Sequence, residues 1–162
     1  DRMEFTHRAL GNRSILADPR KLEMQLKVNT AVKYRETFRP FAPAVLEESA
    51  RKIFNIDKKT KVPFMEKAVL VRNSWRKKIP AVVHVDGTAR VQTVNKKFNP
   101  SFYNLINEFY KITNIPVLLN TSFNLNGEPV VMSPSDAIRT FHTCGLDTLV
   151  LQDYVILKKI NK

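Results

Sequence analysis

The run IPVLL at residues 115–119 constrains the fold more than any other segment. It is continuous and apolar, the pattern of a strand buried on both faces rather than one that alternates. Such a strand needs a packed layer on each side, and its neighbours in sequence supply them. Before it, Asn99 can cap a helix and Pro100 can begin one. Phe102, Leu105, Ile106, Phe109 and Tyr110 then recur at the spacing of one buried helical face. After it, SPSD at 133–136 has the form of a capping box, and Gly145 is placed to end the helix that follows.

The rest of the chain adds more strands and helices. Asp18-Pro19 predicts a helix over residues 18–32, with Leu22, Leu26 and Ala31 as its apolar positions. FRPFAPAVL at 38–46 is extended, because Pro40 and Pro43 deny a helix its donors. A short helix is expected over 47–54 and a strand over 64–72. AVVHVDGTARVQTV at 81–94 reads as a hairpin about Asp86-Gly87. Two strands, at 148–151 and 154–158, close the chain. The expected class is α/β (α+β), a twisted open mixed sheet with helices packed against it.

Length and composition narrow the function. The 162 residues suit one domain, and 43% hydrophobic with 26% charged residues excludes wholesale disorder. No apolar run approaches the ~20 residues that span a bilayer. A single cysteine, Cys144, excludes a disulfide framework and suits a reducing cytoplasm. Lys plus Arg number 27 against 15 Asp plus Glu, a formal net charge of +12, which calls for anionic company. The chain starts at Asp1 with motif-dense sequence from Arg2 onward, as expected of a fragment of something longer.

Familiar catalytic signatures are missing: there is no GxGxxG, GxxxxGK[ST], GxSxG or HExxH. His7, His84 and His142 are scattered without metal-ligand spacing, and His142 and Cys144 cannot share a helical face. Basic and polar residues stand out instead. Arg8 lies in RALGNR, whose glycine and asparagine let the backbone curl around an anion; a surface ion pair is the plainer reading. Lys33 closes the first helix, where the macrodipole favours a cation in any case. Arg39 is framed by Phe38 and Pro40. Arg90 sits inside the apolar hairpin and needs an anion or a wet groove. Asn120, Thr121 and Ser122 bring amide and hydroxyl groups beyond the buried strand. Together they sketch a cationic, carboxylate-poor pocket for polyanions.

RMEFTHRALGNRSILADPR, VKYRETFRPFAPAVL, HVDGTARVQTV, PVLLNTSFNLNGEPVV and LDTLVLQDYVILKK resemble, in order and over nearly the whole chain, the C-terminal domain of the O-carbamoyltransferases. That family modifies nodulation factors and antibiotics. The resemblance implies a YrdC/Sua5-like fold and an N-terminal Kae1-like partner domain that carries iron. It also implies that carbamoyl phosphate and ATP, the latter arriving with Mg²⁺, are converted to carbamoyl-adenylate. Carried over by motif, the ligand-binding residues are Arg8, Lys33, Arg39, Arg90, Asn120 and Ser122, with Lys33, Arg39 and Arg90 as the catalytic cations. One departure stands out: the family's GRMEFGPRALG reads DRMEFTHRALG here, with Thr6-His7 in place of Gly-Pro. Two other readings compete, a basic module for structured RNA and a scaffold that binds no nucleotide.

Overall fold

The computed structural model describes residues 2–36 and 38–158. A loop leads to strand β1 (Ser14–Ala17), then to helix α1 (Glu23–Val28), which widens into a π turn over Asn29–Lys33. Strand β2 (Ala42–Leu46) is followed by a 3₁₀ turn (Glu47–Ser49) and helix α2 (Ala50–Ile53). Strand β3 (Ala68–Leu70), helix α3 (Asn73–Arg76) and a 3₁₀ turn (Pro80–Val82) come next. Strands β4 (Thr88–Arg90) and β5 (Gln92–Val94) precede helix α4 (Pro100–Thr113). Strand β6 (Val117–Ser122), helix α5 (Pro134–Thr143) and the hairpin β7 (Thr148–Leu151) with β8 (Tyr154–Leu157) complete the order.

The central sheet runs β1-β6-β2-β5. β6 lies antiparallel to both β1 and β2, whereas β2 and β5 run parallel, so the sheet is mixed as expected. Alternation sorts its side chains into two cores. Val45, Val117 and Leu119 join the larger one with Val32 and Phe141. Ala44, Leu46 and Leu118 face α4 and meet Phe102 and Ile106. The apolar run is therefore covered on both sides, each fully buried aliphatic side chain contributing about 1.5–3 kcal/mol.

Both long helices start as the sequence indicates. The Asn99 side chain accepts the Phe102 amide at 3.2 Å. Ser133 Oγ accepts the Asp136 amide at 3.2 Å while Asp136 Oδ2 accepts the Ser133 amide at 3.0 Å, closing the capping box. Leu105 and Tyr110 are exposed, so the buried face of α4 is narrower than its periodicity suggests.

Elsewhere the fold departs from the sequence pattern. The helix expected from residue 18 begins only at Glu23, because Asp18 closes a local turn on Arg20 instead of capping. Its core face is formed by Met24, Val28 and Val32. Leu22 and Leu26, expected to be buried, are 58% and 54% exposed. The strand expected over 64–72 shrinks to Ala68–Leu70. The turn at Asp86-Gly87 forms, with Gly87 at φ +80° and the His84 amide donating to Thr88 O at 2.8 Å. Only one arm of that hairpin is a strand, however: Pro80 initiates a 3₁₀ turn, and β4 pairs with β3. β1 occupies a stretch just before Asp18-Pro19 in which the sequence signalled no strand.

Candidate active site

The π turn sets the site. The Tyr34 amide bonds back to Asn29 O at 2.7 Å, and Tyr34 then turns left-handed at φ 44°. Such wide turns are rare and cluster at functional positions. Here the turn buries Lys33, which is 5% exposed, and aims its ammonium at the end of β6. Lys33 Nζ donates to Ser122 O at 2.7 Å, Asn124 O at 3.0 Å and Asn124 Oδ1 at 2.7 Å, with Ser122 Oγ at 3.3 Å. No carboxylate is among these partners. Burial, and then the charge of Arg35, lower the Lys33 pKa to about 8.

Arg35 follows immediately and was not singled out from sequence. Asn29 brackets its backbone: Nδ2 donates to Arg35 O at 2.6 Å and Oδ1 accepts the Arg35 amide at 3.4 Å. The guanidinium lies 4.8 Å from the centroid of Phe41, a buried ring at the head of β2. Its Nε is buried and has no partner among the described residues. Burial, and then Arg39, push the Arg35 pKa down, with Glu36 opposing.

Arg8 belongs to a loop fastened over the sheet. Glu4 accepts the amides of Leu10 and Asn12 at 2.9 and 2.7 Å, and Gln92 and Asn99 both donate to Leu10 O. Thr6 Oγ1 accepts the Arg8 amide at 3.3 Å, so the departure from Gly-Pro adds a local bond at this residue. Asn120 is 1% exposed beneath the loop and donates to Ala9 O at 3.1 Å and Gln92 Oε1 at 2.8 Å. From there it holds the backbone behind Arg8. Arg90 is half-buried on β4, and burial, Arg8 and Arg35 in that order lower its pKa.

Arg8, Lys33, Arg35 and Arg90 thus form a linked set of cations, none in an ion pair among the described residues. Arg39 joins through Arg35 but is exposed and lies 3.7 Å from Glu36. Phe38, read as its anchor, is 75% exposed, and the ring that meets a cation here is Phe41, beneath Arg35. Ser122 meets Lys33, and Asn124, two residues beyond it, is the further polar residue that sequence reasoning missed. His84 sits beside Arg90, with Nδ1 2.9 Å from Thr88 Oγ1.

At an effective dielectric near 20, two unit charges ~5 Å apart repel by about 3 kcal/mol. A cluster of this kind costs stability unless an anion offsets it. Among the described residues, no group of three His, Cys, Asp or Glu is placed to hold a metal ion. A second cleft holds Arg51, Lys58, Lys61, Lys96 and Lys97 beside Glu47 and Glu48. No helix among the described residues is long and apolar enough to cross a membrane.

The family model for the carbamoyltransferase C-terminus matches residues 1–158. Nodulation protein NolO of Bradyrhizobium diazoefficiens is 52% identical over 98% of this chain and 29% of its own length. Nodulation protein NolNO of Sinorhizobium fredii is 53% identical over 98% of the chain and 23% of its own length. Nodulation protein U of Rhizobium tropici is 46% identical over 78% of the chain and 21% of its own length. The chain therefore spans less than a third of each of these relatives. With residues 1–158 matched to the family model and relatives 52–53% identical over 98% of its length, the chain belongs to the carbamoyltransferase C-terminal family.

Proposed function

We propose that this chain binds ATP and carbamoyl phosphate and forms carbamoyl-adenylate, the activating half of an O-carbamoyl transfer. The observation that carries the reading is the mutual lowering of Lys33, Arg35 and Arg90 by neighbouring cations, Arg8 among them, with no ion pair to any of the four among the described residues and Glu36 as the one carboxylate acting on Arg35. Two phosphorylated reactants repel one another, and fixed cations offset that repulsion while positioning the reacting atoms. Water releases phosphate from carbamoyl phosphate to leave carbamate. A carbamate oxygen then forms a bond to the α-phosphorus of ATP as the bond to pyrophosphate breaks. Arginines at fixed positions stabilise charge developing on the phosphoryl oxygens. Mg²⁺ enters as part of the ATP substrate.

Within this proposal Arg8, Arg35, Arg39 and Arg90 hold phosphate oxygens. Lys33 fixes the loop of Ser122 and Asn124 and contributes its charge. Asn120 positions Arg8, and Ser122 offers a hydroxyl to the intermediate. Transfer to an acceptor hydroxyl falls to a Kae1-like, iron-bearing domain, and this chain has a YrdC-like fold. The test is carbamoyl-phosphate-dependent exchange of labelled pyrophosphate into ATP by the protein that carries this chain. Exchange that is lost in Arg90→Met, with the fold intact, supports the reading; full exchange in that variant refutes the site. The RNA alternative draws on the second cleft, with its four lysines and Arg51. Its mark would be binding that falls steeply with salt.

A further inference from the structure

The second cleft lies at the other end of the sheet from the cation cluster. β2 and β5 run parallel, and the residues that follow them meet there: Asn95 Nδ2 donates to Glu47 Oε1 at 3.0 Å. Phe41 precedes β2 and Glu47 follows it, so about 20 Å of extended chain separates the cleft from the ring beneath Arg35. The carboxyl ends of neighbouring parallel strands are where open sheets gather ligands. The space measures about 420 Å³, the size of a small-molecule site.

Its polar lining is held in place by the backbone. The Thr93 amide donates to Val62 O at 2.9 Å and the Val62 amide to Thr93 Oγ1 at 3.0 Å, which fastens the lysine-bearing loop before Val62 to β5. The Lys97 amide donates to Asn95 Oδ1 at 2.8 Å and fixes the turn that carries Lys96 and Lys97. Arg51, Lys58, Lys96 and Lys97 are in no ion pair among the described residues, whereas Lys61 meets Glu47 at 3.2 Å. Each carboxylate is tied through one oxygen only. Lys61 and Asn95 both reach Glu47 Oε1, and the Tyr103 hydroxyl donates to Glu48 Oε1. Among the described residues, neither Oε2 has a bonded partner.

Spare cations and spare carboxylate oxygens in one cleft ask for a ligand with an anionic group and hydroxyl donors together. A bare polyphosphate brings no donor to the carboxylates, and an apolar ligand meets Ile56 as its one aliphatic contact. We propose that this cleft binds a phosphorylated sugar or polyol, its phosphate among Lys58, Lys96 and Lys97 and its hydroxyls on Glu47 and Glu48. The site is separate from the cation cluster and stands whether or not ATP binds there.

Calorimetric titration of the protein that carries this chain with glucose 6-phosphate, glucose, inorganic phosphate and a single-stranded oligouridylate tests the assignment. Glucose 6-phosphate should bind at least about tenfold more tightly than phosphate or glucose alone. Lys96→Ala with Lys97→Ala, both exposed, should weaken glucose 6-phosphate about tenfold and leave carbamoyl-phosphate-dependent pyrophosphate exchange unchanged. Glu48→Gln, which turns an acceptor into a donor, should weaken glucose 6-phosphate about threefold or more and leave inorganic phosphate unmoved. Arg90→Met should leave glucose 6-phosphate affinity in place, because its guanidinium belongs to the other site. Glucose 6-phosphate that binds no better than phosphate, or equally well in the lysine double variant, overturns the proposal. Oligouridylate that binds more tightly than glucose 6-phosphate and is lost in the same double variant also overturns it, by making the cleft a nucleic-acid groove.

Discussion

Lys33 Nζ donates to the Ser122 carbonyl at 2.7 Å, tying the end of the π turn to the end of β6. That bond joins residues 89 positions apart and sets the floor of the cationic site. Because the ammonium is buried and next to Arg35, its pKa falls from 10.5 to about 8. A lysine depressed by folding binds fewer protons in the native state than in the unfolded one between those values. Native stability therefore rises with pH from about 8 to 10.5, by about 3 kcal/mol in all. Denaturant titrations across that window should show the rise in wild type, and Lys33→Met should remove it. Affinity for phosphate ligands should move the other way, weakening above pH 8 as the ammonium is lost.

Arg35 should separate stability from binding. Its replacement by Met keeps bulk against Phe41 and relieves repulsion toward Lys33 and Arg90. Thermal stability should hold or rise by about 1 kcal/mol, as for other sites that retain function at the cost of stability. ATP affinity should fall at least about tenfold, a loss of 1.4 kcal/mol or more. A variant that unfolds but binds normally when folded would contradict this role.

Anions should stabilise the fold beyond their ionic strength. A ligand that binds only the native state adds about 2.7 kcal/mol at one hundred times its Kd. Pyrophosphate should therefore raise the melting temperature, whereas sodium chloride of equal ionic strength should do so far less. The increment should shrink in Arg90→Met.

Gly11 supports the Arg8 loop through a close approach that no side chain permits. It sits at φ +128°, and an added Cβ would fall 2.6 Å from Phe102 Cδ1. Gly11→Ala should cost about 2 kcal/mol or more, from backbone strain and a clash with the first turn of α4. Urea denaturation measures that loss directly.

Elements with strong local signals were readable: α4 and α5 by their caps, the core of β6 by its unbroken apolar run, β7 and β8 by length and pattern. The hairpin at Asp86-Gly87 was half right, because β4 finds its partner in β3, whose pairing no local signal encodes. Leu22 and Leu26 keep helical spacing yet face outward, a choice made by tertiary packing of Met24, Val28 and Val32. Motif resemblance pointed to Lys33 and Arg90 as candidate cations but passed over Arg35, for a physical reason. Two residues apart on a regular helix, side chains point away from each other. The π turn and the left-handed Tyr34 break that geometry and bring Arg35 close to Lys33.

A crystal structure with a non-hydrolysable Mg-ATP analogue and carbamoyl phosphate tests the cationic site most directly. Phosphate oxygens should lie within hydrogen-bonding distance of Arg8, Arg35 and Arg90. Phosphates seated instead between Lys58 and Lys97, with the arginine cluster untouched, would contradict the assignment.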